Sequence, residues 1–473
     1  MTRRGARAWF RIVAAAPVAF HARAALGAGE AFSGVGLSPL WDLPFAGLLL
    51  SLAVGPLLAA HFWHDHYGKI TAAWTFALLV PFSFVYGPGE AFHQVMHSLL
   101  LEYAPFVILL FALYTIAGGI ALRGTLVGTP KLNTALLAVG TTLASAMGTT
   151  GAAMLLIRPL LRANESRRLR AHIVVFFIIL VGNVGGALTP LGDPPLFIGF
   201  LNGVDFFWPA RVLALPTLAL SVALLSLFYF LDTFLSRREE PAQPTAYEPL
   251  AVDGAVNFTL IAGVVGAVLL SGVWKPGVAF DVAGTPVELQ AAVRDVALIA
   301  LAFASLALTP RTVRESNAFS WAPIAEVAKL FAGIFLTIIP VIAMLQAGRE
   351  GALADVVDLV TDPSSGQPRH VMYFWTTGVL SAFLDNAPTY LVFFNLAGGD
   401  PVALMGPLKR TLAAISAGAV YFGALTYVGN APNFMIKAIA EERGVPMPSF
   451  FAYLGYAALL LLPMFAMITW LYA

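Results

Sequence analysis

Asp193 stands in Gly192-Asp193-Pro194-Pro195 and Asp385 in Asp385-Asn386-Ala387-Pro388, each inside an otherwise apolar stretch. A charge at the centre of a bilayer costs about 2.5–3.5 kcal/mol on insertion scales, so an acid there points to work on ions or protons. Neutral oxygen donors surround both acids: Thr149, Thr150, Asn183, Thr189, Asn386, Thr389, Thr426, Asn430 and Asn433. Hard oxygen ligands without thiolate or imidazole suit Na⁺ or another small cation. A buried carboxylate that takes either H⁺ or Na⁺ supplies the minimal chemistry of exchange. The alternative is that each acid only caps a half-helix, Asp193 ahead of Pro194 at the first helical position and Asp385 ahead of Asn386 and Pro388.

The acids lie in segments that recur. Gly186–Phe197 (GALTPLGDPPLF) returns 237 positions later as Gly423–Phe434 (GALTYVGNAPNF), identical at seven of twelve positions. The same offset sets Ser145–Gly151 on Ala382–Pro388, so Asn430 is the mate of Asp193 and Gly148 the mate of Asp385. Gly186, Gly192 and Gly429 allow close backbone approach, and Pro194, Pro195, Pro388 and Pro432 keep helices broken. Breaking a helix at mid-membrane exposes carbonyls at one half-helix end and N–H groups at the other, favouring a cation and an anion respectively. A duplicated apolar chain with two such breaks in each copy is the outline of a secondary transporter.

Composition fixes the solvent. The chain is 59% hydrophobic and 11% charged, with a mean hydropathy of +0.81. A soluble domain carries roughly 25% charged residues, so this is an all-α polytopic membrane protein. It has no Cys, which excludes disulfides and thiolate metal sites, and its net charge of +1 leaves no nucleic-acid footprint. No GxxxxGK[ST] phosphate loop is present, which argues against an ATP-driven pump acting alone.

Apolar runs long enough to span predict helices at 43–60, 70–87, 104–122, 210–233, 256–273, 293–308, 323–345 and 449–471. With broken helices at 171–202 and 411–442, that makes about ten transmembrane helices, plus two re-entrant hairpins at 132–161 and 371–397. Arg123, Lys131, Arg158, Arg162, Arg167, Arg168 and Arg170 flank the first hairpin, so by the positive-inside rule it opens to the cytoplasm. Counting onward places the acidic loop Glu350–Asp362 and the second hairpin outside, with Lys409 and Arg410 there against the trend. Hairpins entering from opposite faces are what an inverted repeat requires. The expected organisation is an N-terminal segment 1–42, scaffold helices 43–103, a first repeat 104–235, a cytoplasmic linker 236–255, inter-repeat helices 256–322 and a second repeat 323–473. Residues 1–26 are basic, then apolar, then small, which reads as a signal peptide or an interfacial amphipathic helix. His61, His64 and His66, and His93 with His97, fall on opposite faces beside aromatic residues and read as interfacial anchors rather than metal ligands.

Asn183–Pro195 (NVGGALTPLGDPP) and Ser381–Thr389 (SAFLDNAPT) resemble the ion transporter superfamily. That superfamily holds bacterial Na⁺/H⁺ antiporters, arsenite pumps, the melanosomal P protein and Na⁺-coupled di- and tricarboxylate carriers. The resemblance runs from about residue 43 to the end and is nearest to bacterial proteins of the sodium:proton antiporter and citrate transporter type. It implies a homodimer in the bacterial inner membrane, with a scaffold and a transport domain that moves as an elevator. It also implies one Na⁺ site at Thr149, Thr150, Asn183 and Gly186, and a second at Asp385, Asn386, Thr426 and Asn430. Carboxylate carriers show Ser-Asn-Thr at both hairpin tips. Here the tips read Met147-Gly148-Thr149-Thr150-Gly151 and Asp385-Asn386-Ala387-Pro388-Thr389, and no Arg or Lys stands in any break. An Asp at a tip repels a di- or trianion unless H⁺ or Na⁺ neutralises it. The expectation is therefore Na⁺ (Li⁺)/H⁺ antiport with no cofactor. Na⁺-coupled citrate or other di- or tricarboxylate symport is the alternative, and arsenite or another oxyanion a third.

Overall fold

The computed structural model describes residues 22–24, 32–239 and 248–470. The signal-peptide segment lies almost wholly outside the described residues, as does the middle of the linker. Among them, eight helices are long and apolar enough to cross a membrane, or nine when the pair Ala322–Thr337 and Ile339–Gln346, bent by 43°, is taken as one span. Strand is confined to short antiparallel pairings, Ala121–Arg123 with Ala251–Asp253 at one end and Ala22–Ala24, Val278–Val282 and Thr285–Glu288 at the other.

Three spans differ from the sequence expectation. The second runs Ala60–Tyr86. The third begins at Pro88, continues through a π-helical turn at Leu99–Tyr103 and ends at Ala117. Its first turns carry Glu90, His93, Gln94 and His97 on one face, which lowers the hydropathy of a segment that is nonetheless helical. The run 323–345, expected to be continuous, bends at Ile338 ahead of Pro340.

The repeat is visible in backbone angles. Gly148 has φ 83° and ψ 150°, and Asp385 has φ 76° and ψ 145°. Asp193 (φ −143°, ψ 142°) matches Asn430 (φ −153°, ψ 140°), and Thr189 (φ −143°, ψ 159°) matches Thr426 (φ −134°, ψ 165°). The π-helical turn and the bend at Ile338 also correspond at the 237-residue offset. Two residues touch their own repeat mates: Ser98 Oγ donates to the Phe335 carbonyl at 2.9 Å, and Asn430 Nδ2 donates to Asp193 Oδ1 at 3.0 Å. A residue in contact with its own mate lies beside the symmetry axis, so these two contacts trace a pseudo-two-fold through the protein.

Contacts sort the loops into two ends. At one end Arg123 pairs with Asp253, Arg162 Nη2 donates to the Leu122 carbonyl at 2.7 Å, Arg170 Nη2 to the Gly444 carbonyl at 3.0 Å and Asn317 Nδ2 to the Ile120 carbonyl at 2.6 Å. The first hairpin, Pro130–Met147 and Thr149–Ala163, opens there, its mouth closed by the Gly128 N–H on the Ala163 carbonyl at 2.7 Å. At the other end Val35 bridges Gly351 and Gln346 Nε2 donates to Asn395 Oδ1 at 2.8 Å. The second hairpin, His370–Leu384 and Asn386–Leu396, opens at that end. The broken segments occupy the middle: 83% of Ala171–Leu188 is buried inside the protein, against 17–44% for the other spans. Interrupted backbone therefore meets protein rather than lipid, as it must where no water satisfies it.

Because the chain lacks Cys, single cysteines report sidedness directly. Ser364→Cys should react with an impermeant maleimide in intact cells, whereas Ser166→Cys should react only after permeabilisation. Labelling of both from one side would refute opposite-facing hairpins.

Candidate functional site

Four half-helices begin at the centre of the protein: Thr149–Ala163, Pro194–Leu201, Asn386–Leu396 and Ala431–Glu442. Gly148 and Asp385 turn the two hairpin tips through a left-handed conformation that glycine adopts freely and other residues rarely. The two long helices are broken by short 3₁₀ turns at Val184–Leu188 and Gly423–Leu425 before restarting with a proline in the first two positions, Pro194 and Pro432. Gly186 packs where a Cβ would lie 2.7 Å from Thr149 Cγ2 and 2.9 Å from the Asp193 Cβ, so a side chain there would intrude on the tip.

Asp193 sits where the four starts meet and is 1% exposed. Its carboxylate makes no capping bond to its own helix, so the cap reading for Asp193 does not hold. It accepts instead from Asn386 Nδ2 at 2.5 Å, Asn430 Nδ2 at 3.0 Å and Thr149 Oγ1 at 3.4 Å. Asn386 and Thr149 are themselves repeat mates. The cluster is thus two symmetry-related pairs, one from the hairpin tips and one from the helix breaks, holding a single carboxylate. No cationic side chain pairs with Asp193 among the described residues. Asn386 Oδ1 is buried and accepts no hydrogen bond, leaving an oxygen lone pair beside the acid.

The remaining expected residues divide by role. Asn183 Oδ1 accepts from Asn430 at 3.3 Å, and Asn183 Nδ2 donates to Asn433 Oδ1 at 2.8 Å, lacing the two broken helices together. Asn433 Nδ2 in turn donates to the Gly423 and Thr426 carbonyls at 2.8 Å. Thr189 Oγ1 donates to the Ser145 carbonyl and Thr426 Oγ1 to the Ala382 carbonyl, so each tethers a hairpin to the break beside it. Thr389 Oγ1 bonds back to the Asp385 carbonyl at 2.8 Å within its own helix. Thr150 is half-buried and contributes no bond to the cluster. Gly429 lies against Gly423, as Gly192 lies against Gly186.

Asp385 is half-buried, and its Oδ1 accepts from the Ala387 N–H at 3.2 Å, so it caps the second tip helix while remaining an electrostatic neighbour of Asp193. The resemblance divides these residues between two Na⁺ sites, and the structure brings members of both sets together. Thr149, Asn386 and Asn430, assigned to different sites, converge on one acid that neither set included. The crossing of the broken helices beside the symmetry axis is the physical reason.

Sequence reading passed over Glu102 and Asp232 and took Arg158 only as a flank of the first hairpin. Glu102 falls within the π-helical turn of the span from Pro88, which had been placed too late to include it. Asp232 is 0% exposed and binds Arg167 at 2.7 Å, His172 Nε2 at 2.9 Å and Asn133 Nδ2 at 2.9 Å, tying the first hairpin's mouth to the helix Trp208–Ser236. Arg158 lies deep in the first hairpin. Apolar flanks were the available signal for the first two. The histidine groups stay apart, and among the described residues no cluster of three or more His, Cys, Asp or Glu could hold a metal.

A helical multi-pass membrane protein with a polar cluster at symmetric helix breaks belongs to the transporter class. The chain belongs to the family described as "Putative citrate transport", which it matches over residues 34–473. None of the curated proteins compared matches it. Family membership makes this a transport protein rather than an enzyme.

The tethers offer an internal test of the repeat. Thr189→Val and Thr426→Val each strand a buried carbonyl, and each should cost about 1–3 kcal/mol. Thermal unfolding in detergent should show comparable losses for the two. A loss at only one would mean that the repeats brace their hairpins differently.

Proposed function

We propose that the protein is a secondary active transporter of the bacterial inner membrane that exchanges Na⁺ (or Li⁺) for H⁺, with Asp193 as the group that takes cation and proton in turn. The supporting observation is a carboxylate 1% exposed, without a cationic partner among the described residues, held by a hydroxyl and two amides from the other three broken segments. An isolated buried charge is expensive. The ring lowers that cost by hydrogen bonds, and a bound Na⁺ or proton removes it. Asn386 Oδ1, Thr149 Oγ1 and the carboxylate are hard oxygen donors of the type such a cation takes. Both states use one acid, so loading the cation requires releasing the proton, which is coupling in its simplest form.

Helix starts carry partial positive charge, and four of them meet at the cluster. That arrangement also favours an anion, and with the family description it supports a second reading, Na⁺- or H⁺-coupled uptake of citrate or another carboxylate. Antiport is the better-supported reading because the place that helix starts prepare for an anion is already filled by the protein's own Asp193. Asp385 acts as the cap of the second tip, setting its helix start rather than carrying the ion. Burial of the cluster requires that it be exposed alternately to the two ends. The inverted hairpins support an elevator motion of the central helices within a homodimer.

The test uses everted vesicles from a host lacking Na⁺/H⁺ antiporters, energised to an acid interior and followed with a pH dye. Na⁺ or Li⁺ should dequench the dye, K⁺ should not, and Asp193→Asn should lose the response at unchanged expression. Asp385→Asn, which preserves a cap, should retain it. Silence from well-expressed wild-type protein, with saturable Na⁺- or H⁺-driven uptake of labelled citrate, would establish the second reading instead.

Contact between Asp193 and its repeat mate predicts a rescue. The double variant Asp193→Asn/Asn430→Asp moves the acid across the pseudo-two-fold while keeping one carboxylate in the ring. Exchange should return above that of Asp193→Asn alone, with altered Na⁺/Li⁺ preference. A double variant as inactive as the single one would show that the carboxylate must stand on the first repeat.

A further inference from the structure

Three arginines are buried in the described residues: Arg158, Arg167 and Arg294. Arg167 is held by Asp232 at 2.7 Å and Glu239 at 2.9 Å, and Arg294 by Asp295 at 2.8 Å. Arg158, 9% exposed, forms no ion pair among the described residues, and its Nη1 is buried without a hydrogen-bond partner among them. Its titratable neighbours are Arg443, Glu442, Tyr114 and Arg162. The Tyr114 hydroxyl is already committed to the Ser320 carbonyl at 2.8 Å. Glu442 is exposed at the end of its helix. Three guanidiniums thus gather around one buried, unsatisfied member, with no buried acid among them.

Position sets the cluster toward the arginine-rich end. Thr149–Ala163 and Ala431–Glu442 pack together, both starting at the Asp193 ring and both ending at the arginine-rich end. Arg158 is nine residues beyond Thr149, roughly 13 Å along the axis at 1.5 Å per residue. Arg162 lies one turn further out, and the Arg443 carbonyl accepts from Arg170 at the mouth. The guanidinium fork matches the paired oxygens of carboxylate and phosphate.

We propose that Arg158, Arg162 and Arg443 form a binding site for a multivalent oxyanion bearing carboxylate or phosphate groups, reached from the arginine-rich end and separate from the Asp193 ring. A free di- or tricarboxylate, inorganic phosphate and the headgroup of an anionic phospholipid share that chemistry. The site stands whether transport is antiport or symport, because it is read as binding alone.

The experiment uses full-length protein, delipidated in neutral detergent at low ionic strength, and the same protein in nanodiscs with and without phosphatidylglycerol. Titration calorimetry and thermal unfolding with citrate, inorganic phosphate and, as ionic-strength control, chloride should show saturable stabilisation by citrate or phosphate only. Stabilisation confined to phosphatidylglycerol nanodiscs would assign the site to lipid. Arg158→Gln should weaken binding about tenfold or more, the loss expected for one forked, charge-assisted contact. Asp193→Asn should leave binding unchanged while abolishing exchange, which separates this proposal from the transport reading. If Arg158→Gln fails to fold, the exposed Arg443→Gln should still weaken binding several-fold. Absence of stabilisation in every arm, or wild-type affinity in both arginine variants, would overturn the proposal.

Discussion

At the centre of this protein an acid is held by helix ends rather than by a base. Asp193 has no cationic partner among the described residues, and in a membrane interior an uncompensated carboxylate would be too costly to keep charged. Four half-helices start around it, and each start carries partial positive charge. Asn386, Asn430 and Thr149 add hydrogen bonds at 2.5–3.4 Å. The helices must break for their ends to arrive there, which fixes the glycines, the prolines and the positive φ at Gly148 and Asp385. The freed backbone must then be satisfied within the protein, and Thr189, Thr426 and Asn433 do that work with bonds to carbonyls. Removing the carboxylate would leave the breaks without a purpose, and healing the breaks would leave the carboxylate without support.

Symmetry supplies the frame and sequence divergence supplies the charge. Ser98 with Phe335 and Asp193 with Asn430 trace the pseudo-two-fold. A group beside such an axis is seen almost equally by both halves, so one acid suffices where two mates are present. Two acids facing each other there would repel strongly in low dielectric. Asn430 avoids this by donating its amide to the acid. The same logic holds at the tips, where Asn386 and Thr149 present a neutral donor from each repeat. The result is a ring of neutral donors around one carboxylate.

The 237-residue repeat was legible without coordinates because Gly, Pro and Thr at breaks tolerate little substitution of backbone role, and the breaks reappear with matching angles. The grouping of loops was legible because Arg collects on one side of a membrane protein, and the loops grouped by charge are the loops that touch. The convergence of both motifs on Asp193 was not legible. Offset alignment pairs residues within equivalent motifs, whereas the cluster forms where one motif crosses the other, and nothing in spacing reports a crossing. Asp193 followed by Pro194 has the pattern of a cap, and only the direction of its side chain distinguishes a cap from a hub. The start at Pro88 was hidden because Glu90, His93, Gln94 and His97 occupy one helical face, so a window average reads an amphipathic segment as a loop.

The helices outside the centre meet a related constraint. Glu102 stands in the π-helical turn Leu99–Tyr103, and the corresponding segment of the second repeat bends at Ile338. Ser98 Oγ reaches the Phe335 carbonyl at 2.9 Å, and Tyr103 OH the Ala328 carbonyl at 2.9 Å. Irregular turns free carbonyls from the i→i−4 ladder or tilt them outward, and a side chain from the opposing repeat can then bind them. Two long helices that would otherwise meet only through apolar packing are thereby joined by hydrogen bonds at the symmetry axis. Apolar packing between helices has little driving force against lipid, whereas a hydrogen bond fixes register. The surrounding helices are therefore joined by hydrogen bonds at the same axis on which the central helices are broken.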